Sequence, residues 1–125
     1  MNTLKVYENV YIIGSSSISH STDCCVYLVD CGTDELVMMD SGAGASYHIL
    51  VRNAESLGFN LKHLKALILT HKHIDHMGAA AEFRKNYHCK VVAHELDARD
   101  IEKGEQILTG AKAYGVKLEP CTVDI

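Results

Sequence analysis

A cluster of metal-ligand residues follows a short apolar run near the middle of the chain. The run Ala66–Leu69 is continuous, which predicts a strand buried on both faces, and it leads into His71-Lys72-His73-Ile74-Asp75-His76. In extended backbone, residues i, i+2 and i+4 project to one side, so His71, His73 and Asp75 are predicted to converge on one point. His76 would add a fourth donor where the chain turns into the next helix.

Imidazole and carboxylate are the donors that zinc-like cations accept, and four such groups side by side would cost desolvation energy without a shared partner. The alternative is a solvated loop that binds nothing. A shuffled chain of this composition would show the pattern roughly once in five hundred trials. The loop therefore predicts a metal site.

The rest of the chain predicts a mixed α/β domain that begins with antiparallel strands. Apolar residues alternate or run together in the predicted strands, and they recur at helical spacing in the predicted helices, the first of which would end at Gly58. The strands are Leu4–Tyr7, Val10–Ile13, Cys24–Asp30, Leu36–Asp40, Ala66–Leu69 and Lys90–Ala93, and the helices are Ser46–Leu57, Ala79–Tyr87, Glu95–Gly104 and Gln106–Tyr114. The last eight residues, Leu118–Ile125, predict entry into a further strand.

Length and charge narrow the functional classes. The 125 residues have the length of a single domain, 1–125, and a net charge of −4 provides no basic surface for nucleic acid or for an anionic membrane. No apolar run is long enough to span a membrane, and the N-terminus lacks the pattern of a secretory signal, which predicts a cytoplasmic protein. The five cysteines form no disulfide framework, and the adjacent Cys24 and Cys25 are interpreted as small buried hydrophobes, with a redox role as the alternative.

The motif Thr70-His71-Lys72-His73-Ile74-Asp75-His76-Met77-Gly78 resembles the second motif of the metallo-β-lactamase superfamily. Val37–Gly42 is similar to the strand ending in Asp-x-Gly that carries the family's first motif. The resemblance implies an α/β fold, the N-terminal half of an αββα sandwich, and predicts a truncated domain. It also predicts association through the uncovered sheet face, or with a missing C-terminal half.

By this resemblance, His71 and His73 would bind a first metal, and Asp75 and His76 a second. Asp75 would also orient the attacking water and accept its proton, and Asp40 would support the metal ligands. Two zinc ions are implied, with iron or manganese as alternatives. Gly42 and Gly44 precede a helix, so their amides are weaker candidates for binding an anionic group of the substrate.

The implied function is metal-dependent hydrolysis of a small thioester, ester or phosphoester, and the loop most resembles that of the glyoxalase II-like branch. Two alternatives stay open: a mono-iron oxidoreductase similar to persulfide dioxygenases, and a non-enzymatic half-domain or partner module that binds metal weakly. The family's remaining ligands come from later in the chain and have no counterpart here. Among the other histidines, His94 comes nearest in sequence context, and it is interpreted as a surface residue or helix cap.

Overall fold

Four consecutive strands open the computed structural model, which describes residues 4–125. The strands are β1 Lys5–Tyr7, β2 Val10–Gly14, β3 Val26–Asp30, β4 Leu36–Met39, β5 Leu64–Ile68 and β6 Lys90–Val92. The helices are α1 Tyr47–Ser56, α2 Ile74–Met77, α3 Ala80–Tyr87, α4 Glu95–Lys103 and α5 Ala111–Tyr114, with a 3₁₀ turn at Leu61–His63.

The six strands form one mixed sheet in chain order, β1-β2-β3-β4-β5-β6. The first four strands pair antiparallel, whereas β5 pairs parallel with both β4 and β6. Parallel neighbours need crossover connections, and here these contain α1 and α3. The predicted α/β class is therefore confirmed.

One face of the sheet forms the core. Leu28, Met38, Leu67 and Val91 are partners in register across four strands, and all four are fully buried. Helices α1 and α3 cover this face; Phe83 of α3 is also fully buried. Because β5 pairs with β4 on one side and β6 on the other, its carboxyl end, where the histidine loop begins, is held between two neighbours.

The opposite face of the sheet is apolar but only half-buried. This corrects the expectation that Ala66–Leu69 is buried on both faces: Leu67 and Leu69 are buried, whereas Ala66 and Ile68 are not fully covered, because α1 and α3 lie on one side only. The half-buried apolar residues on this face are Val10, Ile12, Tyr27, Val29, Val37, Met39, Ala66, Ile68 and Val92.

Two C-terminal predictions need correction. Only Ala111–Tyr114 of the predicted helix Gln106–Tyr114 is helical, because Gly110 has a φ of 83° that ends any helix entering it. The tail is not a regular strand, but it lies along β6, where the Asp124 and Ile125 amides donate to the Val91 carbonyl at 2.8 and 3.3 Å. The first three residues, on which the prediction about a secretory signal partly rests, lie outside the described residues.

All five cysteines are free thiols. No helix within residues 4–125 has the length and apolar character that crossing a bilayer requires.

Candidate metal centre

The histidine loop becomes helical at Ile74, earlier in the chain than the alternation of His71, His73 and Asp75 suggests. His73 is still extended, with φ −63° and ψ 143°, but α2 begins at Ile74. Both Ile74 and Met77 are buried, and the Ile74 amide donates to the Thr109 carbonyl at 2.7 Å. Their spacing of three residues places them on one helical face, so their burial stabilises a helical turn here. Asp75 therefore reaches the site from a helix, and the extended geometry predicted for it is wrong.

Three of the four predicted metal ligands lie together. Donor atoms of His71, Asp75 and His76 are all within 4.8 Å of one another. The His71 and His76 rings are 3.8 Å apart between centroids, and His76 Nε2 lies 3.5 Å from Asp75 Oδ2. His73 is outside this group: its side chain is exposed, and its ring meets that of His71 edge-on at 4.8 Å.

Asp40 connects the end of β4 to this loop. Its buried carboxylate accepts the Thr70 amide at 2.8 Å on Oδ1 and the Thr70 hydroxyl at 2.8 Å on Oδ2. His76 Nδ1 lies 3.0 Å from the same Oδ2. A carboxylate on one ring nitrogen fixes the tautomer and orientation of an imidazole, which leaves Nε2 of His76 facing Asp75 and free to bind a cation.

Ser41, which the sequence did not single out, holds α2 against the end of β4. Its amide and its hydroxyl both donate to the His76 carbonyl, at 2.6 and 2.9 Å, and its hydroxyl accepts the Ala79 amide at 3.2 Å. The donors of α2 are thus positioned by backbone contacts from a segment more than thirty residues away. No local pattern in the sequence signals this contact.

The glycine turn before α1 meets a carboxylate of the protein itself. Asp23 is buried, and it accepts the Ala43 amide at 2.8 Å and the Ser46 hydroxyl. A Cβ on Gly42 would lie 2.6 Å from Asp23 Oδ1, and one on Gly44 would lie 3.1 Å from the Gly78 carbonyl oxygen. Packing therefore explains why neither position can carry a side chain. The binding of an anionic substrate group by the two glycine amides stays a prediction.

Electrostatics favour a neutral imidazole at His71. Burial, together with the neighbouring His76 and His73, lowers the pKa of His71 below its ordinary value. Neutral imidazole is the form that binds metals, because the protonated ring has no free lone pair.

A thiol also lies at this centre. Cys24, Asp40 and His76 form a second group whose donor atoms are all within 4.8 Å of one another. Burial raises the pKa of Cys24 to about 12, and the Asp40 carboxylate acts in the same direction. The interpretation of Cys24 and Cys25 as small buried hydrophobes therefore needs correction: Cys25 is exposed, and Cys24 is half-buried beside ionisable neighbours.

The histidines outside the loop contribute nothing to these two groups. His94 is exposed and caps α4, with Nδ1 accepting the Leu96 amide at 3.1 Å, which confirms its interpretation as a helix cap. The other four lie in loops, on helix α1 or at the ends of helical segments: His20, His48, His63 and His88.

The donor set fits a divalent cation. Two imidazoles and a carboxylate converge, and a further carboxylate orients one of the rings, which is the usual arrangement of zinc ligands and the groups that support them. His76 Nε2 and Asp75 Oδ2 lie 3.5 Å apart, within the roughly 3.3–3.8 Å between ligand atoms of a tetrahedral zinc ion, and all three donor atoms lie within 4.8 Å of one another.

Comparison with known proteins identifies a family and related sequences. The family model described as metallo-beta-lactamase superfamily matches residues 22–123. A hydroxyacylglutathione hydrolase of Rhodopseudomonas palustris (strain BisB5) is 31% identical, over 76% of this chain and 42% of the relative. The chain thus spans about two fifths of the length of the curated relatives it matches.

Solved structures agree on the fold. A subclass B3 metallo-beta-lactamase of Bradyrhizobium japonicum superposes with a TM-score of 0.80 at 27% identity, covering 96% of this chain and 42% of that protein. The metallo-beta-lactamase GOB-18 from Elizabethkingia meningoseptica gives a TM-score of 0.81 at 29% identity, with the same two coverages, 96% and 42%.

Proposed function

Because this chain belongs to the metallo-beta-lactamase superfamily, we propose that it forms the N-terminal, metal-binding part of a metal-dependent hydrolase. The observation that carries the proposal is the convergence of His71, Asp75 and His76 within 4.8 Å in the segment that follows β5. Asp40 supports it, since its carboxylate orients His76. The family implies a divalent cation, and the site has the donors to hold one.

The residues have distinct proposed roles. His71 and His73 hold one zinc ion, and Asp75 and His76 hold a second; His73 would have to turn toward the group from its exposed position. A divalent cation, when bound, activates water for attack and polarises the carbonyl or phosphoryl oxygen of the substrate. Asp75 accepts the proton of the attacking water, for which its helical position beside His76 is suitable.

A recess beside the site favours a substrate with an apolar part. Its volume is about 280 Å³, and its wall includes His73 and Asp75. Across from them, Ile107, Leu108 and Tyr114 are 68%, 59% and 49% exposed, which is unusual for large apolar side chains. An acyl chain placed there would direct its carbonyl carbon toward the metal ligands. A thioester is the favoured substrate, because the curated relatives carry the name hydroxyacylglutathione hydrolase.

Metal binding is the first test. Equilibrium dialysis against Zn²⁺ followed by elemental analysis is expected to show at least one zinc ion per wild-type chain. His76→Ala should lose most of this binding, whereas His48→Ala, which changes an exposed histidine on α1, should keep it. Zinc bound equally by both variants would contradict the assignment. Iron retained in preference to zinc would favour the persulfide dioxygenase-like alternative.

Activity is the second test. Hydrolysis of an S-acyl glutathione thioester, followed by thiol release, is measured on the zinc-loaded 125-residue chain and on the product of the complete coding sequence. We expect turnover that depends on His76 in the complete product and little in the 125 residues alone, because catalytic zinc sites use three protein ligands and each proposed zinc ion has only two here. Zinc binding without turnover in either protein would favour the non-enzymatic partner module.

A further inference from the structure

Cys24 is attached to the metal centre by its backbone. It ends the loop before β3, and its amide donates to the Asp75 carbonyl at 3.3 Å. The residue is half-buried, and its Sγ donates a hydrogen bond to the Cys25 carbonyl at 3.4 Å. The contact with helix α2 therefore fixes the backbone of Cys24, and this places its side chain at the site.

The surroundings of Cys24 differ from those of the structural cysteines. Cys89 and Cys121 are buried within the apolar core, whereas the sulfur of Cys24 shares its site with Asp40 and His76. Cys25, the next residue, is exposed. A half-buried position beside an imidazole and a carboxylate is unusual for a thiol whose only contribution is apolar packing.

We propose that Cys24 Sγ is a metal donor, which with Asp40 and His76 binds a thiophilic divalent cation such as Zn²⁺, Co²⁺ or Cd²⁺. The inference rests on the proposed metal centre, and it adds a sulfur ligand to the nitrogen and oxygen donors of the histidine loop. The three donor atoms lie within 4.8 Å of one another, and His76 Nδ1 and Asp40 Oδ2 are 3.0 Å apart, so small side-chain rotations would bring all three to the roughly 3.3–3.8 Å spacing around a tetrahedral cation.

Ligation has a defined proton balance. The S–H bond breaks, its electron pair becomes the metal–sulfur bond, and the proton leaves to solvent. Binding through His76 Nδ1 would replace its hydrogen bond to Asp40 and move the Nδ1 proton to Nε2. A cation bound by Cys24, Asp40 and His76 Nδ1 would therefore exclude a second cation from His76 Nε2, which faces Asp75.

Cobalt substitution tests the proposal by a spectroscopic signature of the sulfur. Titration of the chain with Co²⁺ is expected to give a thiolate-to-cobalt charge-transfer band in the near ultraviolet as well as the visible ligand-field bands. Cys24→Ser should lose the charge-transfer band and bind Cd²⁺ about tenfold more weakly or worse. Cys25→Ser, the matched control one residue away, should keep both.

Two results would overturn the inference. The first is visible cobalt bands without charge transfer in the wild-type chain, which leaves the proposed metal centre intact; the second is no cobalt binding at all, which contradicts both proposals. X-ray absorption at the zinc edge of the zinc-loaded wild-type chain needs no variant, and it therefore covers the case in which Cys24→Ser folds poorly. We expect one sulfur neighbour at about 2.3 Å from the zinc ion, and a shell of nitrogen and oxygen neighbours alone would contradict the sulfur ligand.

Discussion

Asp40 combines an unfavourable backbone conformation with a central position in the site. Its φ of 63° is left-handed, which costs a non-glycine residue on the order of 1 kcal/mol. In return, its carboxylate accepts two hydrogen bonds from Thr70 and one from His76. The strain lies just after β4, where Asp40 contacts the histidine loop, so the backbone there serves the positioning of His76.

Asp40→Asn should weaken metal binding without disturbing the fold. Asparagine tolerates the left-handed region about as well as aspartate, but its neutral amide is a poorer acceptor for the His76 ring. We expect Zn²⁺ affinity to fall roughly 10- to 100-fold, the usual effect of losing a carboxylate behind a ligating histidine. Competition with a chromophoric chelator measures this affinity. Asp34→Asn, in an exposed turn, is the control, and equal affinities in the two variants would contradict the role of Asp40.

At the scale of elements, Gly78 allows the junction of α2 and α3 to touch the turn before α1. A Cβ at Gly78 would lie 2.1 Å from the backbone carbon and oxygen of Ala43, a contact that no side-chain rotation can relieve. The φ of Gly78 is an ordinary −61°, so the need for glycine here is one of space alone. Two segments that carry site residues are therefore in backbone contact.

Gly78→Ala should destabilise the fold by about 3 kcal/mol or more, at the upper end of overpacking effects, because backbone must move. Gly58→Ala is the matched control: it has open space but a φ of 88°, so only conformational strain of roughly 1–2 kcal/mol is expected. Urea unfolding gives both free energies. A smaller loss for Gly78→Ala than for Gly58→Ala would show that the close approach of the two segments is not maintained in solution.

The carboxylate of Asp124 connects the tail to both α3 and β6. Asp124 accepts the Arg84 guanidinium through two hydrogen bonds of 3.1 Å, and it accepts the Val91 amide at 2.9 Å. The Arg84 interaction, assisted by the Val91 amide, lowers the pKa of Asp124 to about 2. A carboxyl whose pKa is lower in the folded state stabilises the fold above its unfolded pKa, and it loses that effect as pH falls through its folded pKa.

Asp124→Asn should therefore cost on the order of 1 kcal/mol near pH 7, with the loss shrinking between about pH 4 and pH 2. Urea midpoints of the wild-type and variant chains across this range test the expectation, and Asp34→Asn again serves as the control. A constant difference at every pH would assign the effect to packing, since the charge of Asp124 would then be irrelevant.

The spacing of apolar residues predicted the helices and strands well where buried side chains recur regularly. It predicted them poorly where contacts with distant segments determine the local backbone conformation. The hairpins, α1, α3 and α4 follow their apolar spacing closely. The helix predicted over Gln106–Tyr114 is wrong because the left-handed φ of Gly110 interrupts it. The extended path predicted through Asp75 is wrong because Ile74 and Met77 are buried, a fact that depends on packing partners far along the chain.

At the scale of the whole molecule, the site is assembled by topology. Cys24, Asp40 and His76 lie in three separate segments, and they meet because β3, β4 and β5 are neighbours whose ends adjoin. The histidine loop could be predicted from sequence, because its donors lie within six residues. Cys24 could not be assigned, because its contact with His76 spans more than fifty residues and leaves no local pattern.

The two faces of the sheet predict different responses to the same substitution. On β4, Met38 points into the core and is fully buried, whereas Val37 lies on the half-buried apolar face between Val29 and Ala66. An apolar face of this extent is favourable only when something covers it, so we expect the chain to bind a hydrophobic dye and to self-associate as its concentration rises. Light scattering and dye fluorescence measure the two effects.

Val37→Lys should reduce both dye binding and association while keeping the native circular dichroism spectrum, because the lysine ammonium can reach solvent from a half-buried position. Met38→Lys, one residue away, should unfold the chain, because an ammonium in the core would lack a partner. These opposite results would show that association depends on the half-buried apolar face and not on unfolding of the chain. If wild type is monomeric at all concentrations and binds no dye, the half-buried face is too well solvated to act as an interface, and the predicted association is wrong.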